Sequence, residues 1–406
     1  MKIIEVVNSR QKRQFLDLPN RIYKDDPYYV RPLDSMVEAV FDAQSNPLYD
    51  PALVKRFLLL DVDGTVIGRV AAFVNPKKAY GFEQATGGVG FFECVNSQQA
   101  ANSLLDAARD FLLSKGMQAM DGPINLGEND AFWGLLVDGF TMPGFGMNYN
   151  PPYYRDLFES YGFYAYFNQI TNHLDITKRF PERFWNIARR VAKKEEYSFR
   201  SFQIKEADRY IDDFIEIYNE AWVFHENFTP MDKKVLQGMF AQAKSFLVED
   251  MIWYAYHQGE PAGFLVVFPD INNVIRHFKG HLGWFNKLRF FFMVRSRRFL
   301  NRGRVVVFGI KPKFQRSGLE SGLFYQLRKG IERNPHFKEL EISWVGDFNV
   351  KMRALQESMG AIPGKRHVTY RYLFVDQGDN RKKATVIGND TKYVAQNVVQ
   401  DDEKTI

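Results

Sequence analysis

The stretch Arg304 to Phe324, RVVVFGIKPKFQRSGLESGLF, decides the fold. Val305, Val306, Val307, Phe308 and Ile310 form an apolar, largely β-branched run that reads as a buried strand. Pro312 has no N–H to give and ends the ladder. Gln315-Arg316-Ser317-Gly318 follows as a polar turn, and Leu319 to Ile331 carries apolar residues at helical spacing. Such a strand, turn and helix start make an anion cradle. The first N–H groups of a helix have no intrahelical acceptor, and the macrodipole favours negative charge beside them. Gly318 lets a ligand approach the backbone closely, and Arg316 adds a cation at the rim.

Six residues of this kind also fit an ordinary β–α turn, so the downstream order matters. Leu340 to Val345 reads as another strand, Asp347-Phe348-Asn349 follows, and a helix from Val350 to Met359 closes at Gly360-Ala361. In that order the segment resembles the acyl-CoA loop of the GNAT superfamily of N-acyltransferases, with motif (Q/R)-x-x-G-x-(G/A). Gln315 and Gly318 match. Glu320 stands where a second Gly or Ala belongs, and a carboxylate beside a pyrophosphate is unfavourable unless it points away.

The resemblance implies an α/β fold with a mixed sheet and acetyl-CoA or a longer acyl-CoA as donor. The pantetheine arm would pair with backbone at Phe308, Gly309 and Ile310. That pairing needs a splay between the strands ending at Ile310 and Val345. The pyrophosphate would sit on Gln315, Arg316, Ser317, Gly318, Leu319 and Glu320, with Asn349 touching the arm. Many family members place a proton-donating Tyr on the helix after this Asn. Here Gln356 stands at that spacing, which leaves Tyr370 or Tyr372 as acid, or a thiolate that departs unprotonated. The loop His225-Glu226 is the candidate base region, where the alternative is a pair of solvated loop residues.

The first half repeats the order: a hairpin from Phe57 to Val74 turning at Asp63-Gly64, a strand from Gly87 to Val95, a helix from Gln98 to Ser114, a strand at Met117–Met120, a helix from Tyr154 to Tyr161 and a strand from Tyr164 to Ile176. It is similar to a second GNAT copy without the cradle, since VNSQQA replaces the motif. The expected organisation is a degenerate GNAT-like domain over 1–178, a GNAT domain over 179–375 with an insertion at 270–303, and a polar tail at 376–406. Tyr149, Asn150, Tyr153 and Tyr154 of the first copy are candidates for an acceptor cleft, against the alternative of aromatic core packing. The segments GPIN, GLLVDGF, NPPYY, FPDIN and ISWVGDFNVKMR resemble those of a bacterial group of two-domain GNAT-like proteins.

Composition bounds the partners. The formal charge is +6 and the pI about 9.0, which suits an acidic ligand such as CoA or an anionic membrane surface. No nucleic-acid motif is present. A single cysteine, Cys94, fits a reducing cytoplasm, and neither a signal peptide nor a membrane-spanning run is expected. The histidines lack metal-ligand spacing. The segment 281–304 mixes aromatic residues with arginines, as an interfacial helix or an acyl-pocket cover would, although simple packing explains such a helix too. Two functions remain open on these grounds. One is an acyl-CoA-dependent N-acyltransferase acting on a small or lipid-like amine; the other is a non-catalytic GNAT-fold binding protein.

Overall fold

The computed structural model describes residues 1–126, 131–223, 230–347 and 349–374, the side chain of Gln242 excepted. Its contacts divide the chain into two compact units. Unit 1 comprises Met1–Ile170, Ile275–Asn286 and the strand residues from Lys365 onward; unit 2 comprises Thr171–Val274 and Lys287–Gly364.

In chain order, unit 1 holds β1 (Lys2–Glu5), α1 (Ser9–Asp17), α2 (Pro19–Ile22), α3 (Asp34–Val40), β2 (Val54–Leu60), β3 (Val66–Phe73), β4 (Thr86–Cys94), α4 (Gln98–Ser114), β5 (Ala119–Gly122), β6 (Leu135–Asp138), α5 (Tyr154–Tyr161) and the first part of β7 (Tyr164–Asp175). Then follow α6 (Glu182–Val191), β8 (Tyr197–Ser201), α7 (Ala207–Trp222), α8 (Lys233–Ala243), β9 (Ile252–His257), β10 (Glu260–Pro269), α9 (Asn272–Ile275), α10 (Trp284–Ser296), β11 (Arg302–Ile310), α11 (Leu319–Arg333), β12 (Glu339–Gly346), α12 (Val350–Ser358) and β13 (Ile362–Leu373).

Unit 1 orders its strands β1-β2-β3-β4-β5-β13, antiparallel except for the parallel β4–β5 pair; β6 also pairs with β13. Helix α4 covers one face because Ala100, Ala101, Leu104, Leu105, Ala108 and Leu112 recur every three or four residues and are buried. Phe15, Leu16, Val37 and Phe41 pack with Leu58 and Phe73 in a separate cluster. Arg371 on β13 makes a buried two-pronged bond to Asp121 on β5, at 2.7 and 2.8 Å. Unit 2 orders its strands β12-β11-β10-β9-β8, with β11–β12 parallel and the rest antiparallel. One core cluster there joins α6 and α11 to the sheet; another joins α7 to β9 and β10 through Tyr210, Phe214, Tyr254 and Phe264.

Several elements depart from the expectations. The helix that the sequence suggests from about Ser9 to Ile22 breaks at Pro19, residues 34–40 of the Pro- and Asp-rich segment expected as loop are helical, and the Gly-rich stretch after Gly122 contains β6, whose Leu135, Leu136 and Val137 are buried. The last strand begins at Ile362 and, from Lys365, packs in unit 1 beside β5; the second part of β7, from Thr171, belongs to unit 2. Alternation along a strand says which face is buried, not which neighbour it takes. The tail from residue 376 lies outside the described residues.

Candidate functional site

The central parallel pair of unit 2 separates along its length. Strands β11 and β12 are in register only at Arg302–Glu339, Gly303–Leu340 and Arg304–Glu341, whereas β11 continues to Ile310 and β12 to Gly346. Where they part, Ser343 Oγ donates to the carbonyls of Val305 and Val306. On the opposite edge, β10 pairs Val266 with Val307 but Val267 with Val305. Val306 is therefore a bulge residue, and its side chain is 42% exposed in the middle of a sheet. Bulge and splay together leave the β12-facing edge of Val307–Ile310 without a residue of β12 in register.

The candidate cradle follows directly on that strand end. After Ile310 the chain passes Pro312–Phe314 as one 3₁₀ turn and enters α11 with Gly318 as N-cap. Arg316 and Gly318 both have left-handed backbones, at φ 68° and 82°, the backbone pattern of a nest, in which the N–H groups of Gln315 and Ser317 bond back to Pro312 O and Phe314 O. Gln315 Nε2 donates to Ile310 O at 3.3 Å, and Ser317 Oγ donates to Phe314 O at 2.7 Å. The first helical bond is Gly322 N–H to Gly318 O; ahead of it, Leu319 N–H donates to Ser317 Oγ at 3.3 Å, and the next N–H groups of the first turn have no helical carbonyl to bind. A Cβ on Gly318 would lie 3.0 Å from Val191 Cγ2 of α6, so Gly318 is required both by its φ and by this packing. Glu320 Oε2 is buried without a hydrogen-bond partner.

An aromatic wall flanks the strand end. Trp222, the last residue of α7, lies over Gly309: a Cβ there would sit 2.5 Å from Trp222 Cζ3 and 3.0 Å from Phe264 Cζ. Phe214 stacks on Phe264 and on Tyr218, and Tyr218 stacks on Trp222. Next to Ile310, Lys311 is 1% exposed, and its ammonium contacts Glu216 (2.5 Å), Glu220 (2.8 Å) and Glu260 (3.1 Å). These three carboxylates lie close enough for a metal ion, but the Lys311 ammonium is seated among them. Burial works against the charged lysine, yet the carboxylates outweigh it and hold its pKa well above the ordinary range.

Unit 1 repeats the frame and fills it. Strands β4 and β5 are in register at Thr86–Ala119, Gly87–Met120 and Gly88–Asp121, and β4 is bulged between Gly90 and Glu93. Here the backbone N–H of Ile124 donates to Val89 O at 2.9 Å, where unit 2 uses the Ser343 side chain. The Ile124 carbonyl would lie 2.0 Å from a Cβ on Gly90, so its own chain occupies the gap. The helix start has a serine N-cap, Ser97 Oγ accepting from Ala100 N–H at 3.3 Å; in unit 2 Ser317 Oγ accepts from Leu319 N–H at the same distance.

Comparison with known structures supports the repeated frame. A tandem GNAT protein from the clavulanic acid biosynthesis pathway superimposes with a TM-score of 0.53 over 92% of this chain and 98% of its own, at 13% identity. The chain has a tandem GNAT fold. No protein-family model matches it. In sequence it is similar to the bacterial ceramide synthase of Caulobacter vibrioides, with 28% identity over 384 residues covering 91% of this chain and 96% of that protein. It is likewise similar to protein YghO of Escherichia coli, with 26% identity over 375 residues, 90% of this chain and 93% of that one.

Within this GNAT fold the strand and loop candidates come together: Phe308, Gly309, Ile310, Gln315, Arg316, Ser317, Gly318, Leu319 and Glu320 all belong to the β11–α11 connection of unit 2. Asn349 is the N-cap of α12, its Oδ1 accepting from Met352 N–H at 3.1 Å. Gln356 is buried and accepts from Asn172 Nδ2 at 2.5 Å. The other candidates are placed in unit 1. Tyr370 donates to Glu159 at 2.8 Å, and Tyr372 packs on Tyr161 and Phe163. Tyr149 donates to Asp26 at 2.7 Å, Asn150 bridges both backbone groups of Leu136, and Tyr153 donates to Cys94 O. Tyr154 donates to the buried Glu93, which Tyr23 also binds, both at 2.8 Å; burial raises the pKa of Glu93. His225 and Glu226 lie outside the described residues. Sequence reasoning missed Val306, Ser343, Trp222 and Lys311. Of these only Lys311 carried a signal, as a lone cation between Ile310 and Pro312.

Proposed function

We propose that unit 2 binds an acyl-CoA and that the protein transfers the acyl group to the amine of a long-chain lipid base. The observation that carries this reading is the splay of β11 from β12, continued by the nest and helix start at Gly318. The residues fit the donor: a strand edge for the pantetheine amides at Phe308–Ile310, and the helix-start N–H groups beyond Leu319, with Arg316, for the pyrophosphate. The thioester supplies an activated acyl group; the chain must supply grip, dryness and a base. Trp222 and its stacked neighbours keep water from the strand end. The sequence puts His225 and Glu226 three and four residues beyond Trp222, a reach of at most about 14 Å, so they are the residues we assign to taking the amine's proton. The acceptor class rests on the relative named a ceramide synthase, a ceramide being the amide of a fatty acid with a long-chain amino alcohol.

The test is release of CoA thiol from acetyl-, octanoyl- and palmitoyl-CoA, each offered a long-chain amino alcohol and a short water-soluble amine. Turnover with the long-chain base is expected. Tight CoA binding without turnover on any amine would instead make this a binding protein, the reading that Glu320 and the internally bonded Gln356 favour.

A further inference from the structure

Helix α10 has an outer surface that water does not suit. Trp284 is 80% exposed, Phe285 58%, Leu288 48%, Phe291 55% and Phe292 60%. At about 100° per residue these five project within roughly 120° of one another, one continuous stripe. Val294, on another side, is buried, and Phe290 and Met293 are half-buried. The helix is thus apolar on its packed side and again on its outward side, which a helix of a water-facing surface is not. From His281 to Arg304 the chain contains no Asp or Glu. Lys287, Arg289, Arg295, Arg297 and Arg298 are exposed along and just beyond the helix. No helix among the described residues is long and apolar enough to cross a membrane.

We propose that α10 is a membrane-docking helix that lies in the interface of an anionic bilayer, its aromatic stripe among the acyl chains and its arginines at the headgroup phosphates. Three features select this occupant over a second copy or a protein partner. Trp284 and the three Phe residues of the stripe are interfacial anchors, and the exposed charges along and beyond the helix are all basic, which complements an anionic surface. An isologous contact between two copies would instead bring five exposed cations against five of the same sign. The proposal does not rest on acyl transfer, although docking would give the cleft access to a lipid acceptor.

The experiment uses the full chain and no substrate. Co-sedimentation is measured with vesicles of phosphatidylcholine alone and with 30% phosphatidylglycerol (roughly the regime in which polybasic segments bind), at low and high salt. Expected is binding to the anionic vesicles, at least about tenfold weaker to neutral ones, and falling as salt screens the arginines. Phe291→Ser/Phe292→Ser should lower binding by about tenfold or more while CoA affinity is kept. Arg295→Glu/Arg298→Glu changes only exposed residues. It decides the matter if the first variant fails to fold, and it too should abolish the salt-sensitive binding. Wild-type protein left in the supernatant with both vesicles overturns the proposal. So does a dimer in solution that Phe291→Ser/Phe292→Ser converts to monomer.

Discussion

Replacing Gly318 by Asp puts a carboxylate where the cradle is proposed to hold a pyrophosphate. Two effects follow, and they separate experimentally. The first is on stability: a non-glycine residue at φ 82° costs about 1–2 kcal/mol, and its Cβ would press on Val191 Cγ2 at 3.0 Å. Gly318→Ala carries that cost alone. The second is on affinity. A charge about 5 Å from a phosphate charge, at an effective dielectric of about 20, is worth roughly 3 kcal/mol before screening. Screening at physiological salt reduces this to about 1.5–2 kcal/mol, or roughly a 10- to 30-fold weaker Kd for CoA by calorimetry. Unit 1 provides the control. Ser97→Asp adds the same charge at the start of α4, where Asp is a good N-cap, so folding and CoA affinity should both be unchanged. Equal affinity in wild type and Gly318→Asp, with the variant folded, would refute the cradle. A loss in Ser97→Asp as large as in Gly318→Asp would refute its confinement to unit 2.

Arg371→Met should destabilise the protein by about 3–5 kcal/mol in urea unfolding, because it strands the buried Asp121 and removes the guanidinium stacked 3.8 Å from the Tyr166 ring centroid. His336 is held below its ordinary pKa by burial, then by Arg297 and Lys338. The unfolded chain therefore binds more protons below about pH 6.5, and stability present above that pH is lost as pH falls through the folded value. His336→Gln should flatten this slope in melts between pH 7 and 5, and an unchanged slope would contradict it. Cys94 is buried, and burial followed by Glu93 pushes its thiol up to about 12, so the native protein should not react with a thiol reagent. Cys94→Ala should accordingly leave the thiol-release assay unaltered. Glu320→Gln should tighten CoA binding a few-fold, since it removes a negative charge two residues beyond Gly318, beside the proposed pyrophosphate.

Much of the fold was legible in local pattern. Helices α4 and α5 begin and end where the sequence places them, and the hairpin of β2 and β3 turns at Gly64, which has a positive φ. The strand, turn and helix start around Gly318 were legible for the same reason: strand, Pro, Gly and helix start are consecutive, and their geometry is local. What depends on partners distant in the chain was not. Residues 365–373 alternate as any strand does, and only packing beside β5 puts Tyr370 and Tyr372 in unit 1. The bulge at Val306 is set by registry with β10, and the splay is held by a serine on β12. Tyr149, Asn150, Tyr153 and Tyr154 were cleft candidates because they are polar and aromatic, and Tyr149, Asn150 and Tyr154 line a small cavity of unit 1 together with Arg69 and Glu93. Tertiary structure decided that each is bonded to its own unit, since a buried hydroxyl or amide must find a partner and found one there. Sequence determines which groups are available and over what short range they act; which of them remain facing a cleft depends on what the rest of the chain has already satisfied.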